Sequence, residues 1–418
     1  MLLNRTSSVL AVAAIVLALG VPSAAQDLWD AQLFAPANLS PYGGGPSPHE
    51  GYFFTFDGLN WNISAPDVTT IGDPNQTRTV YYGVHPLDDL DPLSDIRIQS
   101  NTLDTSPLEA VPTLGNRIEF GRINDHKGWM FGVYRLTSQT QRYMRTGVDM
   151  VFIDDEFGPR GSRLLEGIVG TVTDPLDPDT EIDIIRNLPL TFDEVFVRNE
   201  VAHWSTELSF IHRTHQLHHG GYFEWLFGAR YLQFDETFEV DARGDIFDDT
   251  GDDAVDDVAA QVPAILADSI WCTRAENHLI GPQIGLRWFK KCHRFTYNVE
   301  GRYMAGFNFQ NLRQQGTLGT ELNPPGDVFE PLVMDTTSFT HAADEQEYSN
   351  VVELRAELRY EFTRNVSFRV GWTGLWMDGI ARASNVINYE VPDMGLRPEF
   401  NEEDVFMHGL TIGVDVNR

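Results

Sequence analysis

The chain has 418 residues and a formal net charge of −31, from 61 acidic and 30 basic side chains. This negative charge excludes nucleic acid and anionic lipid surfaces as the main partner, because both would repel the protein. Its two cysteines cannot build a disulfide framework, so the packing of the core must hold the fold together.

The N-terminal residues predict export. Arg5 precedes an apolar run from Val9 to Val21, and small residues follow this run, which is the pattern of a cleaved signal peptide over residues 1–25. The run is shorter than the roughly twenty apolar residues that a transmembrane helix needs. Residues 26–50 are rich in proline, glycine and serine without a sustained period, so we expect a flexible segment there.

Residues 51–418 predict a single all-β domain made of hairpins. A short strand opens it, four hairpins with short polar turns follow, and one strand ends it. The predicted strands are Gly51–Trp61; Asn116–Asn124 with Gly128–Thr137; Arg198–Arg213 with Gly221–Val240; Arg274–Phe289 with His293–Gln310; the two halves of Asn350–Met377; and Asp404–Asn417. The third hairpin is expected to turn at Lys290–Cys292.

The hairpin Asn350–Met377 shows the strand pattern most clearly. One face of its first half is apolar, with Val352, Leu354, Ala356, Leu358, Tyr360 and Phe362. The other face alternates in charge, with Glu353, Arg355, Glu357, Arg359 and Glu361. Side chains of a strand point to opposite faces at period two, and this length with aromatic ends matches a strand that crosses an outer membrane at a tilt.

Long and short connections alternate along the whole chain. The long ones are Asn62–Gly115, Ser138–Val197, Asp241–Trp271, Asn311–Glu347 and Gly379–Glu403, and together they carry 30 of the 31 net negative charges. This order predicts an antiparallel up-and-down transmembrane β-barrel with short periplasmic turns and long acidic extracellular loops. We expect about ten strands. Twelve stays open, because Arg142–Ile153, Thr77–Val84 and Arg163–Val172 could extend strands or pair above the membrane.

The two cysteines, Cys272 and Cys292, flank the predicted strand Arg274–Phe289. About twenty residues at roughly 3.3 Å each would hold them some 60 Å apart, whereas a disulfide needs Cα atoms within about 7 Å. We therefore predict that they are not joined within one chain.

Two short motifs carry a family resemblance. Gly228-Ala229-Arg230-Tyr231 is followed downstream by Asn277-His278-Leu279-Ile280-Gly281-Pro282-Gln283-Ile284-Gly285. With these motifs the chain resembles the outer-membrane β-barrel family that is widespread in planctomycete bacteria. The resemblance covers most of the mature chain, including the aromatic opening strand and the acidic loops. It implies a barrel and no activity.

Charged side chains on inward strand faces form the strongest candidate constellation. They are Glu224, Arg230, Glu300, Arg302, Glu353, Arg355, Glu357, Arg359, Glu361 and Arg369. They could line a selective pore, or they could neutralise one another in a lumen about ten strands wide that side chains largely fill. We favour internal pairing, because the signs alternate.

Two clusters could hold metal ions. The acidic stretch Asp241–Asp257 could bind Ca²⁺, although it lacks the spacing of an EF-hand loop. Its candidate ligands are Asp245, Asp248, Asp249, Asp252, Asp253, Asp256 and Asp257. His212, His215, His218 and His219 could bind Zn²⁺ or Ni²⁺, but their position at a turn favours ordinary polar turn residues. We favour a solvated acidic surface and predict no resident metal or cofactor.

The sequence favours a non-enzymatic function. It contains no G-x-S-x-G and no H-E-x-x-H motif. The main prediction is an integral outer-membrane β-barrel of a Gram-negative-type bacterium with a structural, surface-interaction or narrow-channel role. A hydrolase at the extracellular rim, with His203, Glu236, His278 and His408 as candidates, and a soluble exported β-protein are the alternatives. The expected partners are outer-membrane lipid and the barrel-assembly machinery, and no oligomeric state is indicated.

Overall fold

A computed structural model of the protein describes residues 50–72, 103–150, 153–154, 166–174, 177–187, 190–217, 221–243, 269–318, 337–391 and 394–417. The predicted signal peptide, all but the last residue of the predicted flexible segment, and Thr77–Val84 lie outside these residues. The described residues are all-β apart from one 3-10 turn at Pro398–Phe400. They contain no helix long and apolar enough to cross a membrane.

The strands of the described residues follow in chain order. They are β1 (Gly51–Ile63), β2 (Val111–Asn124), β3 (Lys127–Leu136), β4 (Gln139–Met150), β5 (Ile153–Asp154), β6 (Glu166–Asp174), β7 (Asp177–Asn187), β8 (Leu190–Arg213), β9 (Gly221–Arg243), β10 (Ser269–Cys292), β11 (Phe295–Leu318), β12 (Thr337–Glu361), β13 (Val366–Ile380), β14 (Ile387–Asn388), β15 (Glu390–Val391), β16 (Gly395–Leu396) and β17 (Glu403–Asn417). The short strands pair as β5 with β15, β6 with β7 and β14 with β16.

Ten strands form a closed wall: β1, β2, β3, β8 to β13 and β17. Each pairs antiparallel with its neighbours along the chain, β17 returns to β1, and β3 closes the ring against β8. Beyond the end of β3, β4 pairs with the same edge of β8. This pairing begins at Gln139↔Val201. The ten-stranded up-and-down barrel that the sequence predicts is confirmed, and twelve strands is wrong, because β4 extends a wall position and adds none.

Short turns join the wall strands at one end. Two of them are two-residue turns, Asp125–His126 and His293–Arg294, and the first residue of each has a positive φ, 51° and 56°. The prediction of a turn at Lys290–Cys292 is wrong: those residues still pair in β10, with Cys292 opposite Phe295. The chain reverses two residues later, where the left-handed conformation of His293 permits a tight turn.

Several wall strands are longer than the sequence pattern predicts. β8 to β12 have 23 to 25 residues each, whereas a tilted strand crosses a bilayer with about ten. The prediction that Ser138–Val197 is a connection is therefore wrong in part, since it contains β4 and the first third of β8. Pairing with neighbouring strands continues beyond the alternating apolar segment, and it carries the wall past the membrane at the end opposite the short turns, here called the long-loop end.

Large apolar side chains cover the outer wall. The exposed ones include Phe56, Leu208, Phe210, Phe227, Ile280, Ile284, Val299, Leu354, Val370, Trp372, Leu410 and Ile412. Phe210 and Ile412 are each 64% exposed, and single soluble domains rarely expose a continuous apolar surface of this extent. The outer surface is that of a membrane-spanning barrel, which contradicts the soluble alternative.

Both cysteines lie on β10, at opposite ends of it, and both are free. The prediction that they are not joined is confirmed. Cys272 is half-buried beyond the membrane-spanning part of β10, and Cys292 is exposed beside the short turn.

The interior is arranged in layers, and the inward side chains of β9 pass through them in order. Its inward residues begin at the short-turn end with Glu224 and Leu226, continue through Arg230, and end in an apolar stretch that Glu236 interrupts. A small apolar cluster from β1, β2, β3, β8 and β9 lies among the charged residues near the short turns, and a larger apolar layer follows the charged network. A third apolar cluster fills the long-loop end. The lumen is thus packed with side chains along its length.

A closed wall without free strand edges should make the barrel heat-modifiable. We expect unheated protein in sodium dodecyl sulfate to migrate differently from boiled protein, because detergent cannot unravel a sheet that has no edge. The measurement is gel migration with and without boiling, on protein extracted from membranes. Identical migration would contradict a closed barrel.

Candidate functional site

Sixteen buried charged side chains form a network inside the barrel. The eight arginines are Arg117, Arg213, Arg230, Arg287, Arg302, Arg355, Arg359 and Arg369, and the eight carboxylates are Asp57, Glu119, Glu207, Glu224, Glu300, Glu353, Glu357 and Asp415. Nine of the ten wall strands contribute. The formal charges cancel, which is the condition under which so many ions can be held away from water.

The structure places nine of the ten sequence-predicted lumen residues in this network. Glu361 is the exception: it is half-buried near the short turns and pairs with Lys291 at 2.8 Å. Sequence reasoning missed seven members, namely Asp57, Arg117, Glu119, Glu207, Arg213, Arg287 and Asp415. Each sits on the inward face of its strand, so the same period-two reading, applied to strands with fewer charges, could have found them.

Arg369 on β13 and Arg355 on β12 bind carboxylates on β1 and β2. Arg369 donates to Asp57, with Nε to Oδ1 at 2.5 Å, and lies 3.5 Å from Glu119 and 3.6 Å from Glu357. Arg355 reaches Glu119 at 2.6 Å and also hydrogen bonds Glu353. Strands distant in sequence are thus tied across the lumen by charge-assisted hydrogen bonds.

A second group of ion pairs links β8 to β11. Arg302 bonds both Glu207 and Glu300, and Arg287 bonds Glu300 and lies 3.2 Å from Glu224. These contacts are bidentate or shared, so one substitution disturbs several partners. The arrangement can fix the barrel and exclude ions; it presents no field of a single sign that would select one.

The end of β13 and the connection from it to β17 fold into the barrel mouth, and residues 379–391 are here called the inserted segment. Gly379, with φ 63°, lies within a register shift between Met377 and Ile380, and Ile380, opposite Glu403, is the last paired residue of β13. Ala381, Ala383 and Tyr389 are then buried in the apolar cluster of the long-loop end. The prediction of an ordinary extracellular loop from Gly379 to Glu403 is wrong here, because the segment has apolar residues to bury.

Polar side chains of the inner wall hold the inserted segment. Asn277 accepts from the Ala381 amide at 2.8 Å and donates to the Ala381 carbonyl at 2.9 Å. Asn308 and Gln310 donate to the Gly379 carbonyl at 2.8 Å and 3.1 Å. Gln310 also exchanges hydrogen bonds with Asn401. Side chains, and no strand pairing, satisfy these buried backbone groups.

An ion pair anchors the inserted segment more deeply. Arg382 donates two hydrogen bonds of 2.7 and 2.9 Å to Glu236, and the Ala383 amide donates to the same carboxylate at 2.9 Å. Glu403 lies beside this pair, 6% exposed, with one oxygen accepting weakly from the Asp67 amide at 3.4 Å. The Arg382 guanidinium thus pairs with Glu236 and is also attracted by the Glu403 carboxylate at the base of the segment.

The candidate residues for a rim hydrolase are not brought together. His203 is buried and hydrogen bonds the Tyr134 hydroxyl at 2.7 Å, while Glu236 is engaged by Arg382. His278 and His408 lie on the outer wall, His278 against Tyr231 at 2.7 Å and His408 between aromatic rings. No pair among the four has the contact that a nucleophile and its base require.

The structure describes only some of the residues predicted as possible metal ligands. His212 and His215 are exposed, and the His215 ring packs on His126 with centroids 4.4 Å apart, while His218 and His219 lie outside the described residues. In the part of the chain that the structure describes, no three His, Cys, Asp or Glu side chains are grouped as metal ligands. The seven aspartates proposed for Ca²⁺ also lie outside it, and that site stays a prediction.

Replacing Arg355 with Met should lower the free energy of unfolding by about 3–5 kcal/mol, because Glu119 and Glu353 then lose a buried partner. The matched control is Arg198→Met, which removes partly exposed ion pairs with Glu200 and Glu239 and should cost less than about 1 kcal/mol. Urea unfolding of folded barrel in detergent measures both. Equal effects of the two substitutions would contradict a network that holds the lumen.

The inserted segment should respond to pH through Glu403. Burial raises the pKa of Glu403 to about 7; the Arg382 guanidinium opposes this rise, and the Glu236 and Asp67 carboxylates add to it. Protonated Glu403 then stabilises the closed segment fully below its ordinary pKa of 4.5, and this contribution is lost as pH rises through about 7. We expect hydrogen exchange in peptides from 381–391, corrected for intrinsic rates, to increase above about pH 7.

Two variants check the assignment to this carboxyl. Glu403→Gln should remove the pH dependence, because the amide cannot ionise. Glu402→Gln, at the exposed neighbouring position, should leave it unchanged. A pH dependence that persists in Glu403→Gln would show that another group controls the segment.

Comparison with known proteins identifies the family. The family model described as "Putative beta barrel porin-7 (BBP7)" matches residues 197–417. No curated protein sequence matches the chain. Among solved structures, the outer membrane protease OmpT from Escherichia coli is 9% identical with a TM-score of 0.41, over 90% of this chain and 100% of that chain. The Pseudomonas putida toluene transporter TodX is 8% identical with a TM-score of 0.21, over 93% of this chain and 100% of that chain.

Scores this low transfer no function to the chain. The family match is of another kind, since it spans more than half of the residues and includes six of the ten wall strands and the inserted segment. The chain therefore belongs to the beta barrel porin-7 family and is an outer-membrane β-barrel.

Proposed function

We propose that this protein is a closed outer-membrane barrel with a structural and surface-interaction role. The observation that carries the proposal is a double closure: the inserted segment fills the mouth, and below it a charge-neutral network spans the lumen. Opposite charges paired in a low dielectric leave no path of mobile ions. The long acidic connections, facing the medium, would then be the part of the protein that meets other molecules.

A gated narrow channel is the second candidate. It is favoured by one observation, that beyond Ile380, the last residue of β13, the inserted segment is held against the inner wall by side chains such as Asn277 and Glu236 and makes no strand pairing with the ten wall strands among the described residues. Such contacts can be released without unpairing a wall strand. In this version the segment moves and the charged network below becomes the lining of a narrow pore.

A rim hydrolase is a weaker prediction, because its candidate side chains point to opposite faces of the wall. Export by the signal peptide 1–25, planctomycete-type ancestry, contact with outer-membrane lipid and insertion by the barrel-assembly machinery remain part of the proposal. The apolar outer wall supports the lipid contact. Ca²⁺ on the acidic stretch Asp241–Asp257 also remains a prediction.

Planar-bilayer recording separates the two candidates. For a closed barrel we expect little steady conductance from the wild type, and still little after residues 384–396 are replaced by a short glycine–serine linker, because the charged network remains. A gated channel predicts that this deletion raises conductance. A matched deletion of residues 245–257 in the acidic stretch is the control. Wild-type conductance of general-porin size would overturn the closed barrel.

A further inference from the structure

Arg117 is the least satisfied member of the charged network. It lies on β2, 1% exposed, with its guanidinium carbon 5.2 Å from the ring centre of Trp61 and 5.5 Å from that of Tyr134. The two aromatic rings form cation–π contacts with it. The charge is therefore stabilised, but these contacts leave the N–H groups of the guanidinium without acceptors.

The unmet groups of Arg117 and Trp61 are all donors. Nε, Nη1 and Nη2 of Arg117 have no hydrogen-bond partner among the described residues, and neither has Nε1 of Trp61, which is fully buried. Neither side chain can accept a hydrogen bond, so they cannot satisfy each other. Buried donors without partners cost free energy and call for an explanation. What is missing beside Arg117 is an acceptor.

The local charge balance also favours an acceptor that is an anion. The carboxylate nearest to Arg117 is Glu353, whose Oε1 lies 3.5 Å from Nη2. Glu353 is shared with Arg230 at 2.5 Å and with Arg355. Arg230 makes its other hydrogen bonds to the hydroxyls of Ser205 and Tyr134, which carry no charge. Arg117 and Arg230 therefore form ion pairs with the same carboxylate, which they also share with Arg355, and Glu119 and Glu207 act on them only from farther away.

We propose that Arg117 and Trp61 form a binding site for a small monovalent carboxylate in the middle of the lumen. The planar fork of a guanidinium matches the two oxygens of a carboxylate, and the indole N–H adds a third donor. The apolar layer around Leu59 and Met407 adjoins the site and disfavours larger, strongly hydrated or doubly charged anions. This inference goes beyond the proposed function, because the site can be filled in a barrel that does not conduct.

Sodium formate is the probe, compared with sodium gluconate at the same sodium concentration, since gluconate is too bulky and hydrated for a buried site. Full-length barrel in detergent is equilibrated with either salt and heated, and the fraction still migrating as the folded band gives the unfolding midpoint. We expect formate to raise the midpoint of the wild type saturably by about 2–4 °C at concentrations near ten times its dissociation constant. No difference between the salts would mean that ordered water alone satisfies these donors, and the proposal would be wrong.

Trp61→Phe is the decisive variant, because it keeps an aromatic ring beside Arg117 and removes only the indole N–H. We expect the formate concentration for half-maximal effect to rise about tenfold, as for loss of one hydrogen bond to a charged group. Trp372→Phe on the lipid-facing wall is the matched control and should behave as the wild type. Arg117→Lys keeps the charge without the fork and should also weaken the effect. An unchanged half-maximal concentration in Trp61→Phe would overturn the site.

Discussion

The exclusion of water from both sides of the wall is the constraint on which the rest of the structure depends. Lipid requires the outer face of each strand to be apolar, so at period two the polar and charged residues must point into the lumen. A ten-stranded lumen is too narrow to hydrate them all. They are therefore obliged to satisfy one another, and eight arginines against eight carboxylates is the outcome.

The same constraint explains the layers above and below the network. Where the inward residues at the long-loop end are apolar, as around Phe238, they need a cover, and the inserted segment supplies it with Ile387 and Tyr389. Its backbone then lies away from water, and Asn277 and Asn308 take the place of strand partners. The closure of the mouth and the packing of the upper barrel are thus two aspects of one arrangement.

Shared partners make the network cooperative, with a residue such as Glu353 serving three arginines. Such sharing stabilises the barrel but leaves some donors unmet, because the wall geometry and not the pairing decides where each guanidinium sits. Arg117 is the clearest example. A lumen filled with paired charges can in this way contain a ligand site.

The sequence by itself determined which residues form strands and which face of each strand is apolar, because both depend on a local alternation. From Glu353 and Arg355 it could even predict charges that face inward. Only the tertiary structure decided that Arg355 meets Glu119, 236 residues away, and that β4 extends a wall position already counted. The fold of residues 379–391 was likewise beyond the local pattern. These features depend on which strands face each other across a closed lumen. The alternation within one strand carries no information about its partners on the far side.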